Sequence, residues 1–281
     1  WLPQVEYFAS KPDEYSVLIF DQRGYGNSQV PRGRYTTSQM ALDILSLLAE
    51  TDIAPADARA FHIVGVSMGG MIALELAKRY APLLKSLTLI STTSGRAYGA
   101  ADRFATGLPP LRGVSAIARV MGGRLLGIDS DAFRIKKFTT LLFPAQWLDE
   151  PCERLPHAAR VPSNRQWFAE TFQWRYRYTH RQALPGALAQ IAATLTHRVS
   201  NAELRHNIDA HVPRTLVLTG DDDNLVNPDN SRHLLANMPR ARLVRLTGGG
   251  HALNMQFPAR VNRLIEENVN EGEDLVAQGG W

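Results

Sequence analysis

The chain has 281 residues, 44% hydrophobic and 21% charged, which is ordinary globular usage and neither a disordered nor a fibrous composition. Its 31 Lys and Arg against 27 Asp and Glu leave a formal charge of +4, but the basic residues are scattered among acids and apolar positions, so no stripe marks a nucleic-acid footprint. The single Cys152 cannot form an internal disulfide, no HExxH or paired-cysteine spacing marks a metal site, and no apolar run reaches the length of a transmembrane span.

This length fits one large α/β domain with an insertion. The chain begins at Trp1 rather than Met, so the expectation is a natural N-terminus further upstream; localisation and oligomeric state are left open. Residues 16–20, SVLIF, form a continuous apolar run before the turn-rich DQRGYGNS, the pattern of a buried parallel strand and its C-terminal loop. From Thr36, TTSQMALDILSLLAE places Met40, Ile44, Leu47 and Leu48 on one helical face, with hydroxyls to cap its start. Residues 61–66 read as the next strand, 68–80 as a helix and 86–91 as a third strand, an alternation that predicts a parallel sheet. The alternation returns at TLVLTG (215–220), followed by a helix near 230–237, the strand RLVRL (242–246) and a final helix after Pro258. Five strands are therefore expected.

Between the two halves, roughly 97–210, only helical stretches are visible, so the predicted organisation is a core over 1–96 and 211–281 with a helical cap over 97–210. The aromatic stretch SNRQWFAETFQWRYRYTHRQ (163–182) reads first as packing and only in part as a ligand-facing surface. The cap arginines, Arg96, Arg103, Arg112, Arg160, Arg165, Arg175, Arg177 and Arg181, read as a solvated face.

Chemistry concentrates at three strand ends. Residues 65–69, Gly-Val-Ser-Met-Gly, form a G-x-S-x-G between a predicted strand and a predicted helix. A sharp turn there projects the Ser67 oxygen above the sheet, and Gly65, Gly69 and Gly70 are expected to relieve crowding in it. Ser67 then sits at a helix N-terminus, where the Met68 N–H can stabilise an oxyanion; the alternative is that Ser67 merely caps the helix. A serine nucleophile needs a base, and the base needs a carboxylate. Among eight histidines, His251 alone follows a strand and a glycine-rich loop, TGGG. His62 falls within a strand, and His157, His180, His197, His206, His211 and His233 fall on helices or surface connections, with packing or solvation as their expected roles. Asp221, Asp222 and Asp223 leave the strand TLVLTG; a calcium loop is excluded because Leu225 and Val226 occupy positions that need a ligand and a turn glycine.

With Ser, Asp and His in this order and these contexts, the chain resembles the α/β-hydrolase superfamily from Trp1 to about Val269. The resemblance implies a mostly parallel sheet with flanking helices and an inserted cap. It aligns Asp223 with the family acid through Gly220-Asp-Asp-Asp-Asn-Leu-Val-Asn-Pro228, with Asp222 as runner-up, and His251 with the family base. It implies a Ser67–His251–Asp223 triad, Met68 as an oxyanion donor, a small-molecule acyl substrate and no metal or organic cofactor. Asp21-Gln-Arg-Gly-Tyr-Gly-Asn-Ser28 is similar to the family loop D-x-R-G-x-G-x-S, read as structural. Ester hydrolysis is the broadest class implied; lactone, carbon–carbon and proline-iminopeptidase-like substrates and perhydrolysis stay open, as does a non-catalytic receptor. Ser67 rather than Asp at the elbow argues against haloalkane dehalogenases and epoxide hydrolases. In the family, further strands precede the SVLIF-type strand, and the third, which ends in a His-Gly loop giving the second oxyanion amide, lies between it and the strand at 61–66. That segment is missing here, so a partial sequence is expected, or a refolded sheet pairing those two strands.

Overall fold

The computed structural model describes residues 1–51, 59–95, 110–127, 130–152, 163–279 and 281. The chain opens with α1 (Leu2–Ala9) and α2 (Thr37–Thr51), then alternates β1 (Phe61–Val66), α3 (Met68–Tyr80) and β2 (Leu84–Ile90). Helices follow: α4 (Leu111–Leu125), α5 (Asp131–Leu142), α6 (Ala145–Asp149), α7 (Asn164–Arg175), α8 (Leu184–Thr196) and the short α9 (Asn201–Glu203), which runs into a π-helical turn at Leu204–Asp209. The alternation resumes with β3 (Arg214–Gly220), α10 (Asp229–Asn237), β4 (Arg242–Leu246), α11 (Leu253–Gln256) and α12 (Pro258–Ala277).

The four strands pair in parallel in the order β1-β2-β3-β4. Successive strand side chains point to opposite faces, and both faces are covered. Val217 joins Leu87, Leu89 and the α2–α3 residues Met40, Ile72 and Leu76 in one core, while Leu216 and Leu218 join Phe8 of α1 and Val261 and Ile265 of α12 in another. Burial on both sides is why the central strands β2 and β3 read as largely apolar runs. The start of α2 is capped as expected: Thr36 accepts from the Gln39 N–H at 3.1 Å, and the Gln39 side chain accepts from the Thr36 N–H at 3.3 Å.

One expected strand is absent. Residues 16–20 adopt no regular structure, and Val17, Ile19 and Phe20 are exposed by 43%, 53% and 37%. A strand exists only through the ladder it joins, and among the described residues nothing pairs with the outer edge of β1. Neither the expected fifth strand nor a direct pairing of 16–20 with 61–66 forms.

Every parallel strand presents its C-terminal end to the same edge of the sheet, so Ser67, Ser91, Asp221 and the loop after Leu246 all emerge there. The described residues between β2 and β3 are helical apart from their connections and stand over that edge. They include an aromatic cluster in which Phe143 contacts Trp147 and Phe168, each with ring centroids at 4.7 Å, and Phe168 contacts Phe172 at 4.8 Å. Ala252, next to His251, belongs to the same cluster.

Candidate active site

Ser67 is the N-cap of α3 and has φ 55° and ψ −120°, a backbone conformation that L residues rarely adopt. Its N–H is anchored to the Ile90 carbonyl at 2.9 Å, and its carbonyl accepts from the Thr92 hydroxyl at 2.7 Å. Gly65 is required by space: a Cβ there would stand 2.4 Å from the Gly69 carbonyl oxygen. A Cβ on Gly70 would strike the Thr92 side chain at 2.6 Å, whereas one on Gly69 would meet nothing within 4 Å. The crowding expected at Gly69 thus falls on Gly70. As the first residue of α3, Met68 has an N–H with no intrahelical acceptor.

The acidic run after β3 divides sharply. Asp221 and Asp222 are exposed, while Asp223 is buried and its carboxylate meets His251 Nδ1 at 2.9 and 3.1 Å. The same carboxylate accepts from the N–H groups of Leu225 at 2.8 Å and Val226 at 2.9 Å. Contact at Nδ1 leaves His251 Nε2 for another partner. His251 is placed from both sides: its N–H donates to the Leu142 carbonyl at 2.9 Å, and the preceding loop is pinned by Gln256, which joins Gly250 N–H and Gly248 C=O at 2.8 Å each. Gly250 passes so close to the end of α5 that a Cβ would lie 2.6 Å from the Leu142 oxygen. Among the hydrogen bonds of the described residues none joins the Ser67 hydroxyl to His251.

Ser67 and Met68 open on a cavity of about 480 Å³. Its described walls are largely apolar, with Met71 from α3, Val120 from α4, Phe138 and Leu141 from α5, and Phe172 from α7. Leu225 and Val226, whose amides hold Asp223, also line it. Such a concave, mostly apolar space with a few polar groups is the usual form of a small-molecule site.

A family model for the alpha/beta hydrolase fold matches residues 1–258. The chain belongs to that family. It is 30% identical over 285 residues to a protein of Stutzerimonas stutzeri named "Putative carbamate hydrolase RutD", covering 99% of this chain and 89% of that one. Its fold is similar to that of a thermophilic esterase from Thermogutta terrifontis (TM-score 0.63, 23% identity, 97% of this chain and 85% of that chain). It is likewise similar to the enol-lactonase from Burkholderia xenovorans LB400 (TM-score 0.64, 22% identity, 96% and 85%).

In this α/β-fold hydrolase, several residues have settings that the sequence did not convey. Phe172 and Tyr176 of the aromatic stretch line the cavity, Phe168 packs, and Trp174 and Tyr178 are exposed. Arg134, absent from the sequence candidates, also lines the cavity; only its i, i+4 spacing with Phe138 on one helical face could have signalled it. His180 lines the cavity too. His197, expected on a helix or surface connection, is buried: its Nδ1 meets the Thr37 hydroxyl at 2.9 Å and lies 3.7 Å from Glu75, and burial lowers its pKa to about 4. His233 is buried as well, and His157 lies outside the described residues, with Arg96, Arg103 and Arg160. Among the other cap arginines, Arg165 pairs with Asp149, Arg181 with Asp131, and Arg175 with Asp21 at 3.8 Å while standing over the Tyr25 ring. The loop 21–28 is held to α2 by Arg23–Asp43 and to α8 by the Gln190 side chain, which donates to the Arg23 carbonyl at 2.8 Å. Among the described residues, no group of three or more His, Cys, Asp and Glu could hold a metal ion, and no helix is long and apolar enough to cross a membrane.

Proposed function

We propose that this hydrolase cleaves an ester, lactone or related acyl bond of a small molecule through a Ser67–His251–Asp223 triad. The observation that carries the reading is Ser67, held at positive φ at the head of α3 and open to the apolar cavity. The Ser67 oxygen attacks the acyl carbonyl as His251 Nε2 takes its proton, and Asp223 holds the Nδ1 tautomer and offsets the imidazolium charge. The Met68 N–H faces the oxyanion. His251 then gives its proton to the leaving group, leaving an acyl ester on Ser67. Water attacks that ester, His251 takes the water proton, and its return to Ser67 releases the acid. Residues 97–210 act as the cap and select the acyl group.

A carbamate is itself an acyl compound, so the name of the Stutzerimonas relative falls within this chemistry. The 480 Å³ space and its apolar walls favour an acyl group much larger than carbamic acid. Stopped-flow hydrolysis of p-nitrophenyl hexanoate should show a burst of nitrophenol equal to the enzyme concentration, absent in Ser67→Ala. A full burst from that variant would sink the proposal.

A further inference from the structure

His251 leads into α11, a single turn of four residues that is too short to hold itself. In a continuing helix the Asn254 carbonyl would accept from the N–H of residue 258. That residue is Pro258, which has no N–H to give. The bond comes from another element instead: Gln4 of α1 donates its Nε2 to the Asn254 carbonyl at 3.0 Å. Nε2 also donates to Asn262 Oδ1 on α12 at 2.8 Å, and Gln4 Oε1 accepts from the Asn254 side chain at 3.1 Å. Asn262 closes the set by donating to the Pro3 carbonyl at 3.0 Å. All three amide side chains are buried, next to the apolar cluster that holds Phe8, Leu253 and Val261. Buried amides are costly unless they are paired. Here both Nε2 protons of Gln4 are spent and its oxygen is engaged. A network satisfied in this way rigidifies its surroundings and admits one register.

We propose that Gln4 is a positioning residue for His251: by holding α11 in one register through Asn254, it sets where the imidazole stands between Asp223 and Ser67. This rests on the hydrolase reading given above. From the cap side the Leu142 carbonyl takes the N–H of His251 at 2.9 Å and that of Ala252 at 3.2 Å. From within α11, Gln256 clasps the loop at Gly248 and Gly250 that precedes the histidine. Both holds depend on where α11 sits, and the Gln4 amide ties that turn to α1 and α12. A general base must come within hydrogen-bond reach of the proton it takes, and a displacement of about 1 Å can cost about 10²-fold in rate. Gln4 is not among the described residues that line the cavity, so its effect passes through α11 rather than through contact with substrate.

The test is Gln4→Met, which keeps most of the side-chain length and removes all three Gln4 bonds, with Tyr7→Phe as a control on the same helix. The control loses the Tyr7 bond to Glu266, 2.7 Å long, and leaves the amide network intact. With p-nitrophenyl hexanoate, Gln4→Met should lower kcat roughly tenfold or more and keep KM within about twofold. Tyr7→Phe should keep kcat within about twofold even where its urea midpoint falls as far. Gln4→Asn, whose amide is one methylene short, should lose less than Gln4→Met and serves in its place if that variant does not fold. The proton NMR resonance of His251 Nδ1–H, assigned by its loss in His251→Gln, should move or broaden in both Gln4 variants and stay in place in Tyr7→Phe. A lower urea midpoint with kcat and the resonance unchanged would make Gln4 merely structural and overturn the proposal, as would a rise in KM at constant kcat. The resonance separates this from failure of the hydrolase reading. Wild-type protein without turnover, whose resonance still moves in Gln4→Met, would indict the triad; turnover with kcat and resonance unmoved would indict the positioning role.

Discussion

Two histidine–carboxylate pairs occupy the same sheet at opposite ends, and a serine stands at each end. At the C-terminal edge stand Ser67, His251 and Asp223. At the N-terminal end, His62 of β1 lies beside Ser86 of β2, with Nδ1 2.8 Å from the Ser86 oxygen and Nε2 3.0 Å from Glu273 of α12. The second cluster has the more continuous hydrogen-bond chain, because its serine is already bonded to its histidine. It nevertheless lacks what a nucleophile needs. Ser86 is 1% exposed beneath α12, where Gly272 comes so near that an added Cβ would lie 3.0 Å from the serine Cβ. It lies mid-strand, paired with β1 on one side and β3 on the other, so ladder bonds occupy the local amides. Ser67 faces a cavity at a helix start whose amides have no internal acceptor. The proposed reactivity of Ser67 rests on open space and uncommitted donors rather than on a chain of hydrogen bonds.

The largest expected contrast is between the two serines. Ser67→Ala should lower kcat/KM on p-nitrophenyl esters by roughly 10³-fold or more, while Ser86→Ala should leave it within about twofold. Next come the carboxylates. Asp223→Asn should cost roughly 10³–10⁴ in kcat by disturbing the His251 tautomer, whereas Glu273→Gln should shift the melting temperature and leave kcat nearly unchanged. The glycines sharpen the same division: Gly65→Ala forces a backbone collision in the elbow and should cost about 1–3 kcal/mol together with activity. Gly272→Ala meets the Lys85 carbonyl oxygen at 2.6 Å and should lower urea stability without changing kcat/KM of the folded protein.

The two ends of the sheet also differ in pH dependence. Burial, outweighing Glu273, holds the His62 pKa below the ordinary histidine value, and burial takes His197 to about 4. The unfolded imidazoles gain protons near pH 6.5 while the folded ones remain neutral. Stability from these neutral histidines is therefore complete above about pH 6.5 and falls as pH drops toward 4, by at most about 3 kcal/mol for His197. Urea midpoints between pH 5 and 8 should show this decline, and His197→Gln should flatten it.

Strands β1 to β4 and the helices between them were legible because period, length and punctuation are local properties. The Ser67 elbow and the Asp223–His251 pair were legible because each sits at the end of a readable strand. SVLIF was misread for a physical reason: its apolar run is local, but a strand partner is not. Arg134 lay hidden because the cavity wall is assembled from α4, α5, α7 and α8, so its i, i+4 spacing with Phe138 does not by itself say that this face of α5 meets the cavity. The buried state of His197 depends likewise on α2 and α3, far away in sequence.

The most direct test is to label the protein with an alkyl fluorophosphonate and map the adduct by peptide mass spectrometry. A single adduct on Ser67, lost in Ser67→Ala and retained in Ser86→Ala, is the predicted result. An adduct on Ser86, or no adduct on Ser67 in folded protein, would contradict the assignment of the C-terminal cluster as the reactive one.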